Sequence, residues 1–148
     1  MKGDIVENFI LKNQNGNDFN LFENLDKKVL IVFYPRDNSP VCSRQLSNYY
    51  ENKKAFEDYD IKVIGINTES GESHSSFCNS LGIDMPMLCD ETKEISRRFN
   101  ALNLFGVNKR KLILIGIDKK ILFEKSSVPV LYFNTDRIIT MFNEEKLI

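Results

Sequence analysis

Residues 28–34, Lys-Val-Leu-Ile-Val-Phe-Tyr, are apolar at nearly every position and show no alternation. A strand with one face in water alternates, so this run reads as a strand covered on both faces and central in its sheet. Ile61-Lys62-Val63-Ile64-Gly65-Ile66-Asn67 reads as a second buried strand. Between them, Leu46, Tyr49, Tyr50, Phe56 and Tyr59 recur at helical spacing behind Ser39-Pro40, an N-cap residue followed by a proline at the first helical position, which predicts a helix from about Pro40 to Tyr59. A second helix follows Thr68-Glu69-Ser70-Gly71, carries Phe77, Cys78 and Leu81, and stops at Gly82. Asp90 is placed to cap a short helix with Ile95 and Phe99 inward. Residues 111–117 and 120–123 form two strands so close in sequence that they must pair antiparallel, and a last helix from about Asn134 buries Ile138, Ile139 and Phe142. Near the start, Asn15-Gly16 between Phe9-Ile10-Leu11 and Phe19-Asn20-Leu21 predicts a β-hairpin. Crossover helices followed by a closing hairpin and helix imply a mixed, mainly α/β sheet.

Composition sharpens this picture by exclusion. At 148 residues there is room for one core, and no repeat or linker divides the chain, so residues 1–148 are read as a single domain. With 20 Lys+Arg against 21 Asp+Glu, no strong field invites nucleic acid or an anionic membrane, and the longest apolar stretches are too short to span a bilayer. Three cysteines are a poor disulfide framework for a secreted domain, and Met1-Lys2-Gly3-Asp4-Ile5-Val6-Glu7-Asn8 has no signal-like apolar run. The expected location is a reducing cytoplasm, where a cysteine is either an inert small hydrophobe or a reagent.

Cys42 follows Ser39-Pro40-Val41 and therefore sits in the first helical turn, where unpaired backbone N–H groups and the positive end of the helix dipole favour a thiolate. An ordinary buried cysteine is the competing reading. A Cys-x-x-Cys redox pair fails at Gln45, a tyrosine-phosphatase loop fails at Asn48, a Cys-x-x-x-Cys copper site fails at Leu46, and a Cys-His pair would have to use His74, the only histidine. Cys42, Cys78, Cys89 and His74 total four potential zinc ligands, with His74 and Cys78 at i, i+4, but lack any close Cys pair.

The run Phe33-Tyr34-Pro35-Arg36-Asp37-Asn38-Ser39-Pro40-Val41-Cys42 resembles the Pro-x-x-x-(Thr/Ser)-x-x-Cys signature of peroxiredoxins, and Tyr34-Pro35 with Ser39-Pro40 is similar to the bacterioferritin-comigratory, or peroxiredoxin Q, subfamily. Val63 to Asn67, Ser73 to Phe77, Leu88-Cys89-Asp90 and Arg110 to Ile115 fall in that family's order and approximate spacing. The resemblance implies a thioredoxin-like fold and a thiol peroxidase acting on hydrogen peroxide and organic hydroperoxides. It assigns Cys42 as the peroxidatic cysteine, Pro35 as its shield, Ser39 as a hydrogen-bond partner of thiolate and peroxide, and Arg110 as the cation of the site. Such donors suit a reaction in which negative charge develops on the departing oxygen. Arg110 could instead belong to a solvated basic turn, Lys109-Arg110-Lys111, with Arg97 or Arg98 serving the thiol.

Attack leaves a sulfenic acid that a second thiol can convert to a disulfide. Many subfamily members carry that thiol five residues on, where this chain has Ser47; another group has it in a stretch like Ser-His-x-x-Phe-Cys, matched by Ser73 to Cys78. Cys78 is thus the resolving candidate, with core packing as its alternative, and bridging from separate helices would need local unfolding. Cys89 reads as a spectator and His74 as a helix-start residue. Gln45 stands where a Glu is common, and Lys119 replaces a turn Gly. The partners implied are peroxide and thioredoxin or a similar dithiol, with no cofactor, no metal, no nucleic acid and no membrane, the chain acting as a monomer or weak homodimer. Rival readings are the zinc module above and a non-catalytic thioredoxin-like binding or chaperone domain.

Overall fold

The structure, a computed structural model, describes residues 1–148. Its strands are β1 (Ile10–Lys12), β2 (Asp18–Asn20), β3 (Lys28–Phe33), β4 (Ile61–Asn67), β5 (Met87–Cys89), β6 (Arg110–Ile115) and β7 (Ile121–Ser127). Its helices are α1 (Pro40–Glu51), α2 (Lys53–Glu57), α3 (Gly71–Leu81), α4 (Glu94–Arg98) and α5 (Thr135–Glu144). The strands form one mixed sheet in the order β2-β1-β5-β4-β3-β6-β7. β3 lies parallel to β4 and antiparallel to β6, so the run expected to be central has neighbours on both sides.

The absence of alternation in β3 has a direct cause. Val29, Ile31 and Phe33 point to one face, where they meet Phe9, Leu21, Ile95 and Phe99, while Leu30 and Val32 point to the other, where Tyr49, Phe56, Ile138 and Phe142 cover them. Both faces are buried, and burial at roughly 25 cal/mol per Å² of apolar area makes this strand the backbone of the core.

Three boundaries differ from those expected. The helix read as continuous from Pro40 to Tyr59 breaks at Asn52, whose side chain donates to the Asn48 carbonyl at 2.8 Å and competes with the helical ladder. Tyr59 is left 42% exposed, outside any helix. The closing hairpin is shifted: β6 ends at Ile115, leaving Ile117 exposed, and β7 continues to Ser127. The N-terminal hairpin turns through residues 13–17, with the Asn13 carboxamide oxygen accepting from the backbone N–H of Asn15 and Asn17 and Gly16 at φ +78°. Asp90 does cap α4, accepting from the N–H groups of Ile95 and Ser96, although Lys93 occupies the N-cap position.

Candidate active site

α1 begins just beyond the end of β3, and its first turn holds Cys42 fully buried. Ser39 is its N-cap in extended backbone, and Ser39 Oγ accepts from the Cys42 N–H at 3.2 Å. The cap spends a lone pair and leaves the hydroxyl proton free to donate.

Arg110, the first residue of β6, is 5% exposed. Its Nη1 donates to Cys42 Sγ at 3.3 Å and to Gln45 Oε1 at 2.6 Å, while Nε and Nη2 both donate to the Pro129 carbonyl, at 3.1 and 2.8 Å. Gln45 donates onward to Tyr49 Oη at 3.1 Å, and Tyr49 donates to the Phe133 carbonyl at 2.7 Å. Burial pushes the Tyr49 phenol far up, so it stays a neutral link in this chain of donors. No carboxylate pairs with Arg110 in any ion pair of the protein. The acidic side chain that its Nη1 does reach is Cys42, through Sγ. Pro35 is half-buried and lines, with Phe105, Val107, Arg110, Ser127 and Pro129, a cleft of about 620 Å³ that reaches Arg110 from solvent.

The other two thiols have no such cation. Burial raises Cys78 to about 11, helped by the charges of Asp37 and Asp84. Burial likewise raises Cys89 to about 11, with Glu91 and Asp37 adding to it. All three cysteines are free thiols. Cys42 and Cys78 nevertheless share one apolar cluster with Tyr34, Leu46, Phe77, Ile83 and Met87, whereas Cys89 sits at the end of β5, its Sγ 4.0 Å from the Asn13 carbonyl.

The model of the family described as AhpC/TSA matches residues 2–124. The chain belongs to the AhpC/TSA family. It is 31% identical over 99 residues to a putative peroxiredoxin bcp of Helicobacter pylori J99, covering 67% of this chain and 65% of that protein. It is 30% identical over 134 residues to the chloroplastic peroxiredoxin Q of Gentiana triflora, covering 90% of this chain and 59% of that one. The match thus spans just under two thirds of the length of these curated relatives. Among solved structures, the peroxidoxin BcpB of Mycobacterium tuberculosis superposes with a TM-score of 0.85 at 25% identity, over 99% of this chain and 97% of its own. A Xylella fastidiosa PrxQ C47S mutant does so with a TM-score of 0.86 at 22% identity, over 99% and 96%, which shows the shared fold. The α/β sheet is therefore the thioredoxin-like fold in its peroxiredoxin form.

Within this AhpC/TSA fold, Cys42, Ser39 and Arg110 come together, and Pro35 stands at the mouth of the adjoining cleft. The basic run 109–111 is not a solvated turn: Arg110 is held as above, and buried Lys111 donates to the Phe99 and Asn100 carbonyls and pairs with Glu124. Arg97 and Arg98 are engaged elsewhere, with the Thr92 carbonyl and with the Glu7 and Asn8 carbonyls. The zinc alternative finds no three ligands gathered, and both ring nitrogens of His74 are already engaged.

Sequence reasoning missed one polar centre. The fully buried side chains of Asp37 and His74 meet at 2.6 Å, and Asp37 also accepts from Tyr34 Oη at 2.6 Å, Ser73 Oγ at 2.6 Å and Asn67 Nδ2 at 3.2 Å. Burial alone would raise the Asp37 carboxyl, but hydrogen bonds from His74, Ser73 and Tyr34 outweigh it and hold the group below its ordinary value. His74 Nε2 faces the Leu88 carbonyl at 2.9 Å. Both ring nitrogens are thus engaged, one by the Asp37 carboxylate and the other by a β5 carbonyl. His74 is not merely a helix-start residue.

Proposed function

We propose that this protein is a thiol peroxidase in which Cys42 reduces hydrogen peroxide or an organic hydroperoxide. The observation that carries the reading is the Arg110 guanidinium on Cys42 Sγ, buried and without a carboxylate to compete for it. The Cys42 thiolate attacks one peroxide oxygen, the O–O bond breaks, and the other oxygen leaves as hydroxide or alkoxide and takes a proton; sulfur is oxidised to the sulfenic acid and the peroxide is reduced to water or alcohol. Arg110, which stays charged, and the free Ser39 hydroxyl proton stabilise the charge that develops on the departing oxygen. Pro35 limits water at the thiolate from the cleft side.

Cys78 then condenses with the sulfenic acid, forming the S–S bond and releasing water. Its raised pKa means that it reacts when it leaves its apolar surroundings, not while buried. A dithiol such as thioredoxin re-reduces the bridge by thiol–disulfide exchange. The test is a pair of substitutions. Cys42→Ser abolishes peroxide consumption coupled to thioredoxin. Cys78→Ser permits one turnover and then accumulates sulfinic acid, seen as a mass increase on Cys42. Undiminished turnover by the Cys42→Ser protein would refute the reading.

A further inference from the structure

The Asp37 carboxylate joins the loop that leads into the Cys42 turn to the helix that carries Cys78. Asp37 lies in the loop between β3 and Ser39, the cap on which the Cys42 turn is built. Its partners Ser73 and His74 lie in the first turns of α3, the helix that carries Cys78. The loop is tied a second time through its backbone, the Asp37 N–H donating at 3.0 Å to Oε1 of Glu69, just ahead of α3. His74 anchors the same turn to the sheet through the Leu88 carbonyl. No hydrogen bond joins this network to Cys42 Sγ, whose side-chain partner is Arg110.

We propose that Asp37 and His74 are positioning residues forming a latch, which holds the Cys42 loop against the Cys78 helix and sets how fast the sulfenic acid is resolved. The inference rests on the function proposed above. Peroxide attack needs the Ser39 cap and the Arg110 contact in place, and neither hydrogen bond runs through Asp37 or His74. Bridging needs the latch open, since two cysteines that begin on separate helices can bond only when their Cα atoms come within roughly 7 Å with facing side chains. Parting the loop from α3 strips the fully buried Asp37 and His74 side chains of their 2.6 Å contact, which is strongly opposed unless each finds a new partner. The closed form therefore persists, and the sulfenic acid stays exposed to a second peroxide for longer than it would in a looser protein. The resolving step is Cys42–SOH plus Cys78–SH giving the disulfide and water; the latch supplies no atom to it.

The experiment separates the two chemical steps by rapid quench and mass spectrometry, with one equivalent of hydrogen peroxide for the first step and excess for sulfinic acid yield. Variants are His74→Asn, which keeps a polar side chain able to hydrogen-bond Asp37, and His74→Leu, which keeps none. The expected result is Cys42 oxidation unchanged to within about threefold, while disulfide formation accelerates about tenfold or more in His74→Leu and by less in His74→Asn, with sulfinic acid falling in the same order. A merely structural role would slow both steps together. Parallel changes in the two steps, or wild-type resolution in both variants, overturn the latch. If wild-type protein forms no Cys42–Cys78 bridge at all, the functional reading fails first. Hydrogen exchange on the unmutated protein provides a check that needs no variant to fold: segments 35–46 and 70–80 open together, and α3 opening while 35–39 stays protected contradicts the proposal.

Discussion

A guanidinium buried without a carboxylate is costly unless an anion comes to it. Arg110 is such a group, fixed by the Pro129 carbonyl and Gln45 and aimed at Cys42. Replacing it with Lys keeps the charge but loses the planar fork that reaches sulfur, Gln45 and Pro129 at once. Arg110→Lys should lower the second-order rate of Cys42 oxidation about 10²- to 10³-fold, by analogy with loss of one oxyanion donor, while a rate within threefold of wild type would remove Arg110 from the mechanism. Asp37 yields a pH prediction. Its folded-state carboxyl lies below the ordinary 3.8, so the unfolded chain takes up its proton first as pH falls. The stability linked to it is complete above roughly pH 5 and is lost as pH falls through 3.8 toward the lower folded value. In urea unfolding from pH 7 to 3, Asp37→Asn should be less stable than wild type at neutrality and decline less on acidification; an equal decline would show that the carboxylate is not the linked group. Cys42 and Arg110 were legible in the sequence because a cap, a proline and a familial spacing mark them. Asp37 was not, because its partners Asn67 and His74 lie 30 and 37 residues away and nothing local marks the pairing.

At the level of elements, the reactive turn depends on one cap. Ser39 takes the Cys42 N–H, one of the orphan donors of α1, and fixes where the helix begins. Ser39→Ala should cost about 1 kcal/mol of stability and slow Cys42 oxidation, whereas Ser39→Thr should keep both near wild type. Equal oxidation rates in the Ala and Thr proteins would limit Ser39 to capping. Elements were readable wherever local chemistry decides them: the unbroken apolar run of β3, the Ser39-Pro40 start of α1, and Gly82 in the left-handed conformation ending α3. They were misread where a side chain competes with the backbone, as Asn52 does between α1 and α2. They were also misread where tertiary pairing outruns pattern, as in β7, whose polar residues Glu124 to Ser127 stay in the ladder opposite Arg110 to Ile113.

Across the whole molecule, the sheet separates rigid support from chemistry. β3 and β6, buried on both faces and paired along their length, fix the loop after β3 and Arg110 at the start of β6 on one end of the sheet. α3 brings Cys78 into the apolar cluster that holds Cys42, and Cys89 is left outside it. Under the function proposed above, the three free thiols divide into a nucleophile beside a cation, a buried partner in the same cluster, and a bystander. The most direct test of that division is mass spectrometry of cysteine linkages after the reduced protein receives one equivalent of hydrogen peroxide. The account predicts a single new bridge joining Cys42 and Cys78, with Cys89 still alkylatable. An unmodified Cys42 thiol, or a bridge that includes Cys89, would contradict it.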